Sequence, residues 1–170
     1  MVYFTADEHY YHGKMIIYSK RPFKNWRDMN EKLIANHNEV VSQNDTVYHA
    51  GDFAFGSPNK IKKIIDQLNG KHIFIHGSHD KGLAKLAKCG EIDYRGRRLE
   101  IQIKNKFIVI DHYCLRVWAR SHYNSWHLYG HCLDYQTEIL TNNGWKFREQ
   151  LSADDKVLSL NTESNFLEYN

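Results

Sequence analysis

Four short apolar runs, MVYFTADEH, DTVYHAGDF, KHIFIHGSHD and KFIVIDHY, each end in a tip of aspartate and histidine. Runs this short and apolar read as buried strands, and the polar tips as the loops that leave them. Between the runs lie segments with helical spacing. They are residues 28 to 42 (DMNEKLIANHNEVVS) and 58 to 69 (PNKIKKIIDQLN), the second with Pro58 at its start and Gly70 just past its end. Strand alternating with helix predicts an α/β chain, a parallel or mixed sheet covered by helices. Ligands of such sheets collect at the carboxyl ends of the strands, where these tips fall.

The texture changes at Cys132. TEILTNNGWKF and KVLSLNTESNFLEY read as short alternating strands around an Asn-Gly turn at 143 to 144, so residues 132 to 170 are expected to be all-β. Charge changes with texture: residues 1 to 131 hold 20 Lys and Arg against 13 Asp and Glu, and residues 132 to 170 hold 3 against 7. No Gly- or Pro-rich linker marks the junction, although independent domains joined end to end usually have one. The expected domains are therefore 1–131 and 132–170 with an abrupt boundary. At 170 residues the chain has the length of one domain, or of one domain and a fragment. It contains no 18-residue apolar run, and its N-terminus reaches charged residues too early for a signal peptide, which predicts a cytoplasmic protein with no membrane partner. Cys89, Cys114 and Cys132 are odd in number and lack C-x-x-C spacing, which argues against a disulfide framework or a cysteine zinc site. Two of the three read as free core thiols.

Asp7-x-His9, Gly51-Asp52, Gly77-Ser78-His79-Asp80, Asp111-His112 and Gly130-His131 each sit at the end of an apolar run. Loops at strand ends can converge. Carboxylates and neutral imidazoles suit Mn, Fe, Zn or Ni, and an aspartate whose oxygens reach different cations can hold a pair about 3.5 to 4 Å apart. Such a pair clamps a phosphate and activates a water. The protein has 11 histidines, and His37, in a polar helical stretch, and His72, after Gly70-Lys71, read as outside the site.

The order D-x-H, G-D, G-x-H-D, H, G-H resembles the calcineurin-like metallophosphoesterases, in particular their small phage and bacterial members, and the likeness extends over residues 1 to 131. It implies a mixed β-sheet sandwich flanked by helices and two divalent metal ions. Asp7 and His9 would bind the first metal, Asp52 would bridge, and His112 and His131 would bind the second. His79 would protonate the leaving alkoxide, with Asp80 orienting its ring. His12 and His49 would either touch the substrate phosphate or pack behind the ligands. Two departures stand out. Ser78 replaces the family's asparagine, and a hydroxyl is a weaker ligand than an amide oxygen. The family's final G-H-x-H is cut short, because here Gly130-His131 is followed by Cys132-Leu133.

The cut coincides with a second resemblance. CLDYQTEILT is similar to the first block of an intein, and GWKFREQLSADDKVLSLN to the strands that follow it, so residues 132 to 170 resemble the short all-β beginning of a Hedgehog/intein fold. This implies that the Cys132 thiol attacks the His131 carbonyl, exchanging an amide for a thioester. An intein also needs a Thr-x-x-His motif and a terminal His-Asn, and neither is in the sequence, where Tyr169 precedes Asn170. The expectation is an N-terminal intein fragment, either one half of a naturally split intein or a longer intein cut short, whose partner is a C-terminal half, followed by an extein beginning Ser, Thr or Cys and then His. An acidic N-half suits a basic partner. Two rival readings are a stand-alone phosphoesterase with an inert Cys132 and a packing tail, and a basic nucleic-acid-binding module. The scattering of Lys and Arg counts against the second and leaves nucleic acid only as a substrate.

Overall fold

The computed structural model describes residues 1–131, 138–152, 154–155, 158–160 and 167–169. It divides into two compact units, Met1–His131 and Cys132–Asn170, at the residue pair where the sequence changes texture.

The first unit is a mixed α/β structure with two sheets. Strands β1 (Val2–Thr5), β2 (Thr46–His49), β3 (Lys71–Phe74) and β4 (Asp93–Tyr94) form a parallel sheet in that order. Strands β5 (Arg98–Ile103), β6 (Lys106–Asp111) and β7 (Trp126–Tyr129) form a mixed one, with β5 antiparallel and β7 parallel to β6. Burial alternates along β2, as the period of two requires, and the two faces of the first sheet serve different cores. Tyr48 stacks on Phe4 and joins Ile75, Ile108 and Ile110 in the core between the sheets. On the other face, Phe74 packs with Phe53, Ile61, Ile64, Leu83 and Leu86 beneath the helices. Each fully buried side chain of this size stabilises the fold by roughly 1.5 to 3 kcal/mol.

Four helices cover that face or its loops: α1 (Lys14–Tyr18), α2 (Trp26–Val40), α3 (Pro58–Ile65) and α4 (Lys81–Lys88). Helix α2 begins two residues earlier than the spacing predicts, because Asn25 caps it by accepting from the N–H groups of Arg27 (2.9 Å) and Asp28 (3.2 Å). Helix α3 starts at Pro58 as expected but ends at Ile65, short of residue 69. There the chain is taken over by Asn69, whose N–H donates to the Asn38 side chain (2.8 Å) and whose amide donates to the Val41 carbonyl (3.1 Å). Cys89 and Cys114 are exposed thiols, contrary to the expectation of core cysteines. None of the described helices is long and apolar enough to cross a membrane.

The described part of the second unit is β-rich. Strands β8 (Glu138–Thr141) and β9 (Gly144–Phe147) pair antiparallel, as do β10 (Leu158–Leu160) and β11 (Leu167–Tyr169). The turn of the first pair is Asn142-Asn143 rather than Asn143-Gly144. Gly144, at φ +95°, takes the left-handed position where β9 begins, and Thr141 Oγ accepts from the Asn143 N–H (3.1 Å) and donates to the Gly144 carbonyl (2.8 Å). Cys132, on which the splicing expectation rests, lies outside the described residues.

Candidate metal centre

The five polar tips meet at the carboxyl ends of β1, β2, β3, β6 and β7. Past the ends of β1 and β2 the two chains stay hydrogen-bonded, with the Asp7, His9 and Tyr10 N–H groups donating to the Gly51, Asp52 and Phe53 carbonyls at 2.9 to 3.0 Å. This carries Asp7 and His9 alongside Asp52. Glycines allow the remaining loops to close in. A Cβ on Gly77 would collide with the Asp52 backbone nitrogen and carboxylate, and one on Gly130 would lie 2.7 Å from Ala6 Cβ and 2.9 Å from Asp7 Oδ2.

Two groups of candidate ligands result, Asp7–His9–Asp52 and Asp52–His112–His131, each with its ligand atoms within 4.8 Å of one another. They share Asp52, whose Oδ2 lies 4.0 Å from His9 Nε2 and 3.3 Å from His112 Nε2. His9, Asp52 and His112 are buried, Asp7 is partly covered and His131 is exposed. Three buried atoms of the cluster, Asp7 Oδ1, His9 Nε2 and His112 Nε2, have no hydrogen-bond partner among the described residues. A buried polar atom without a partner costs about 1 to 3 kcal/mol, and cations held by the two groups would remove that cost. His112 Nδ1 is 3.0 Å from the Ala50 carbonyl, the contact that fixes a ring with Nε2 turned to a metal.

Electrostatics agree with this geometry. Burial alone would raise the Asp52 carboxyl, but the His112 ring, the His79 N–H and the Ser78 hydroxyl hold it well below the usual carboxylate range. Burial works to lower the His112 imidazole, while Asp52 and the Ala50 carbonyl outweigh it and shift the ring upward. A proton on His112 and a cation therefore compete for the same place, and metal binding weakens in acid.

Backbone strain gathers at the same residues. Asp7, His9, Asp52 and His131 all have φ between +56° and +68°, the left-handed region that non-glycine residues rarely occupy. Strain of this kind persists only where the surroundings over-determine it. Here Arg21 donates to the carbonyls of Asp7 (2.6 Å) and Glu8 (2.8 Å), and Asn30 accepts from the Tyr11 N–H (3.0 Å). Neither residue carries a sequence signal that singles it out, since both act on the main chain from the segments that follow the first tip.

The other expected site residues are placed variously. The His79 N–H donates to Asp52 Oδ1 (2.8 Å), and its ring lies beside those of His9 and His12 with centroids 5.5 and 4.9 Å away. His12 is at the site, its Nδ1 3.5 Å from His9 Nδ1 and its ring stacked on Phe55. Ser78 donates its hydroxyl to Asp52 (2.9 Å), which supports that carboxylate rather than offering a lone pair to a metal. Asp80 is not placed to orient His79. Fully buried, it accepts from the main-chain N–H groups of Asp52 (2.8 Å), Gly77 (2.9 Å) and Ala54 (3.4 Å), and so ties the second tip to the third.

His49 takes the second of its two expected places, behind the ligands and away from any substrate phosphate. It faces the helical layer, stacked on Phe74, with Nδ1 2.6 Å from Glu8 Oε1 and Nε2 2.9 Å from His72 Nδ1. His72 in turn lies against His37, whose Nε2 is 2.9 Å from the Asn69 carbonyl. His49, His72 and His37 thus form a network behind the site. Burial first, then the neighbouring His49 and His37, push the His72 ring down to about 4. Between that value and the ordinary histidine pKa the unfolded chain binds a proton that the folded chain does not, so the contribution is complete above about pH 6.5 and is lost as pH falls toward 4. Urea unfolding of the metal-free protein should show lower stability at about pH 5 than at about pH 7.5, with a shallower slope in His72→Gln. Equal slopes in the two proteins would remove His72 from the account.

The chain matches no known protein-family profile. It is 45% identical over 83 residues to an uncharacterized protein of Methanocaldococcus jannaschii, a match covering 47% of each chain, so it spans about half the length of that relative. Its fold is similar to the crystal structure of a protein of unknown function from Aquifex aeolicus, with a TM-score of 0.55 and 29% identity, over 72% of this chain and 66% of that one.

Proposed function

We propose that residues 1–131 are the greater part of a two-metal phosphoesterase of the calcineurin-like kind and that residues 132–170 are the N-terminal half of an intein. The chain is then a cytoplasmic precursor, completed by splicing when a C-terminal intein half is supplied. The observation that carries the enzymatic reading is the sharing of one buried carboxylate, Asp52, by two ligand groups at the ends of parallel strands. The division of the chain between His131 and Cys132, and the left-handed His131 at that junction, support the splicing reading.

In this reading Asp7, His9 and Asp52 hold one divalent cation, and Asp52, His112 and His131 hold the other. Ser78 is at most a weak further ligand. Mn, Fe, Zn and Ni all suit the donor set. Two such cations supply neutralisation of the phosphate charge and a nucleophile at neutral pH. The chain's own groups do the rest. Asp52 keeps its negative charge through the donors around it, and His79, anchored through its N–H to that carboxylate, gives a proton to the departing alkoxide. His12 packs against the His79 ring and orients it. The missing fourth residue of G-H-x-H leaves the Asp7–His9 group short of a ligand until splicing adds it.

The test is hydrolysis of bis(4-nitrophenyl) phosphate by the full chain. Weak activity should vanish with chelator and return with manganese, and His79→Asn should lower kcat by about a hundredfold on a phosphodiester with an alkoxide leaving group while largely sparing the 4-nitrophenyl ester, whose phenolate departs without a proton. Hydrolysis indifferent to chelator would reject the proposal.

A further inference from the structure

Beside the metal centre lies a cleft of about 540 Å³ lined by residues that include His76, Gly77, Ser78, Arg97, Arg98 and Tyr113. It is continuous with the centre, because Ser78 donates to Asp52 and the Tyr113 ring lies 4.8 and 4.9 Å from those of His112 and His131. The volume is that of a small-ligand pocket, several times what one phosphate on the metals needs. Its charge is positive, with two arginines against Asp111. Arg98 meets Asp111 through Nε (3.1 Å), a contact that fixes the guanidinium and leaves its terminal amino groups for a further acceptor. Arg97 is exposed next to it. His76 lines the cleft as well, and its Nδ1 is buried without a hydrogen-bond partner among the described residues. Tyr113, 46% exposed, offers a flat apolar face at the mouth.

We propose that this cleft takes the second half of the substrate and that this half carries its own phosphate, bound by Arg97 and Arg98. The preferred substrate is then a small phosphodiester or phosphoanhydride of mononucleotide size with a phosphate beyond the one attacked. A guanidinium fork matches a phosphate through paired charge-assisted hydrogen bonds, which a neutral leaving group cannot use. The inference rests on the phosphoesterase reading for the word substrate, but the cleft's preference for a second phosphate can be measured without any reaction.

The experiment is calorimetric binding of thymidine 3′,5′-bisphosphate and thymidine 5′-phosphate to the full chain with manganese. It is paired with hydrolysis of the 4-nitrophenyl 5′-esters of the same two nucleotides. The bisphosphate should bind about tenfold more tightly, as one charge-assisted pair implies. Arg97→Gln and Arg98→Gln should each bring the affinity ratio toward one, while Lys32→Gln, an equal charge loss on the exposed face of α2, should keep it. Arg97→Gln decides the matter where losing the Asp111 contact unsettles Arg98→Gln. A ratio of one in the unaltered protein, or an equal fall in Lys32→Gln, would overturn the inference. A preserved ratio with neither ester hydrolysed would reject the phosphoesterase reading and leave the anion-binding cleft standing.

Discussion

Replacing Asp52 by asparagine should lower manganese-dependent phosphodiester hydrolysis by at least about a hundredfold, because one substitution removes charge from both candidate metal positions at once. The fold should tolerate the change. An amide oxygen can still accept from the His79 N–H, and the Asp52 main-chain N–H still donates to Asp80. Asp80→Asn is the contrasting case. Asp80 is fully buried and binds main-chain donors of both tips, so its loss should appear first as a lower urea midpoint. Urea unfolding of both variants, followed beside their activity, separates loss of chemistry from loss of structure. Asp52→Asn retaining wild-type activity would be incompatible with a shared ligand.

The second large effect is expected on mixing the chain with a C-terminal intein half that carries an extein beginning Ser-His. Mass spectrometry should find residues 1–131 joined to the new extein, and Cys132→Ala should give none. The bonds exchanged in the first step all lie at the junction, and the Thr-x-x-His motif that polarises the amide must be supplied with the C-terminal half. The Cys132 sulfur attacks the His131 carbonyl carbon, the carbon–nitrogen bond breaks as the carbon–sulfur bond forms, and the thiol's proton passes to the released nitrogen, which becomes the Cys132 amine. The joined product regains a histidine two positions after His131. Its hydrolytic activity should exceed that of the unspliced chain by about one to two orders of magnitude, the usual effect of restoring a ligand and its support. Transfer without a gain in activity would uphold the intein and discard the idea of an unfinished metal centre. No transfer under reducing conditions would discard the intein.

Much of the candidate site's grouping was legible because its candidate ligands are local punctuation. Asp7, His9, Asp52, His112 and His131 follow apolar runs directly, and parallel strands bring such ends together whatever the detailed packing. Interactions between distant segments were not legible. Arg21 and Asn30 hold the first loop from residues that read as ordinary polar positions, and the left-handed backbone of four candidate ligands is only weakly signalled by Asp and His, which enter that region more readily than most non-glycine residues. His49 shows a signal that could have been used. It lies two residues from Val47 on β2, so the period of two turns it to the same face, away from Tyr48 and toward the helices. Helix α4 was hidden by Gly82 in its first turn, a residue that disfavours helices. A Cβ there would strike the Gly56 carbonyl, so packing rather than propensity sets its identity.

The central claim is that Asp52 joins two cation sites. Anomalous scattering from crystals of the full chain soaked in manganese tests it most directly. The account predicts two peaks flanking the Asp52 carboxylate, one toward Asp7 and His9 and one toward His112 and His131, both lost in Asp52→Asn. Crystals with no peak there, or with a single peak that survives the substitution, would contradict it.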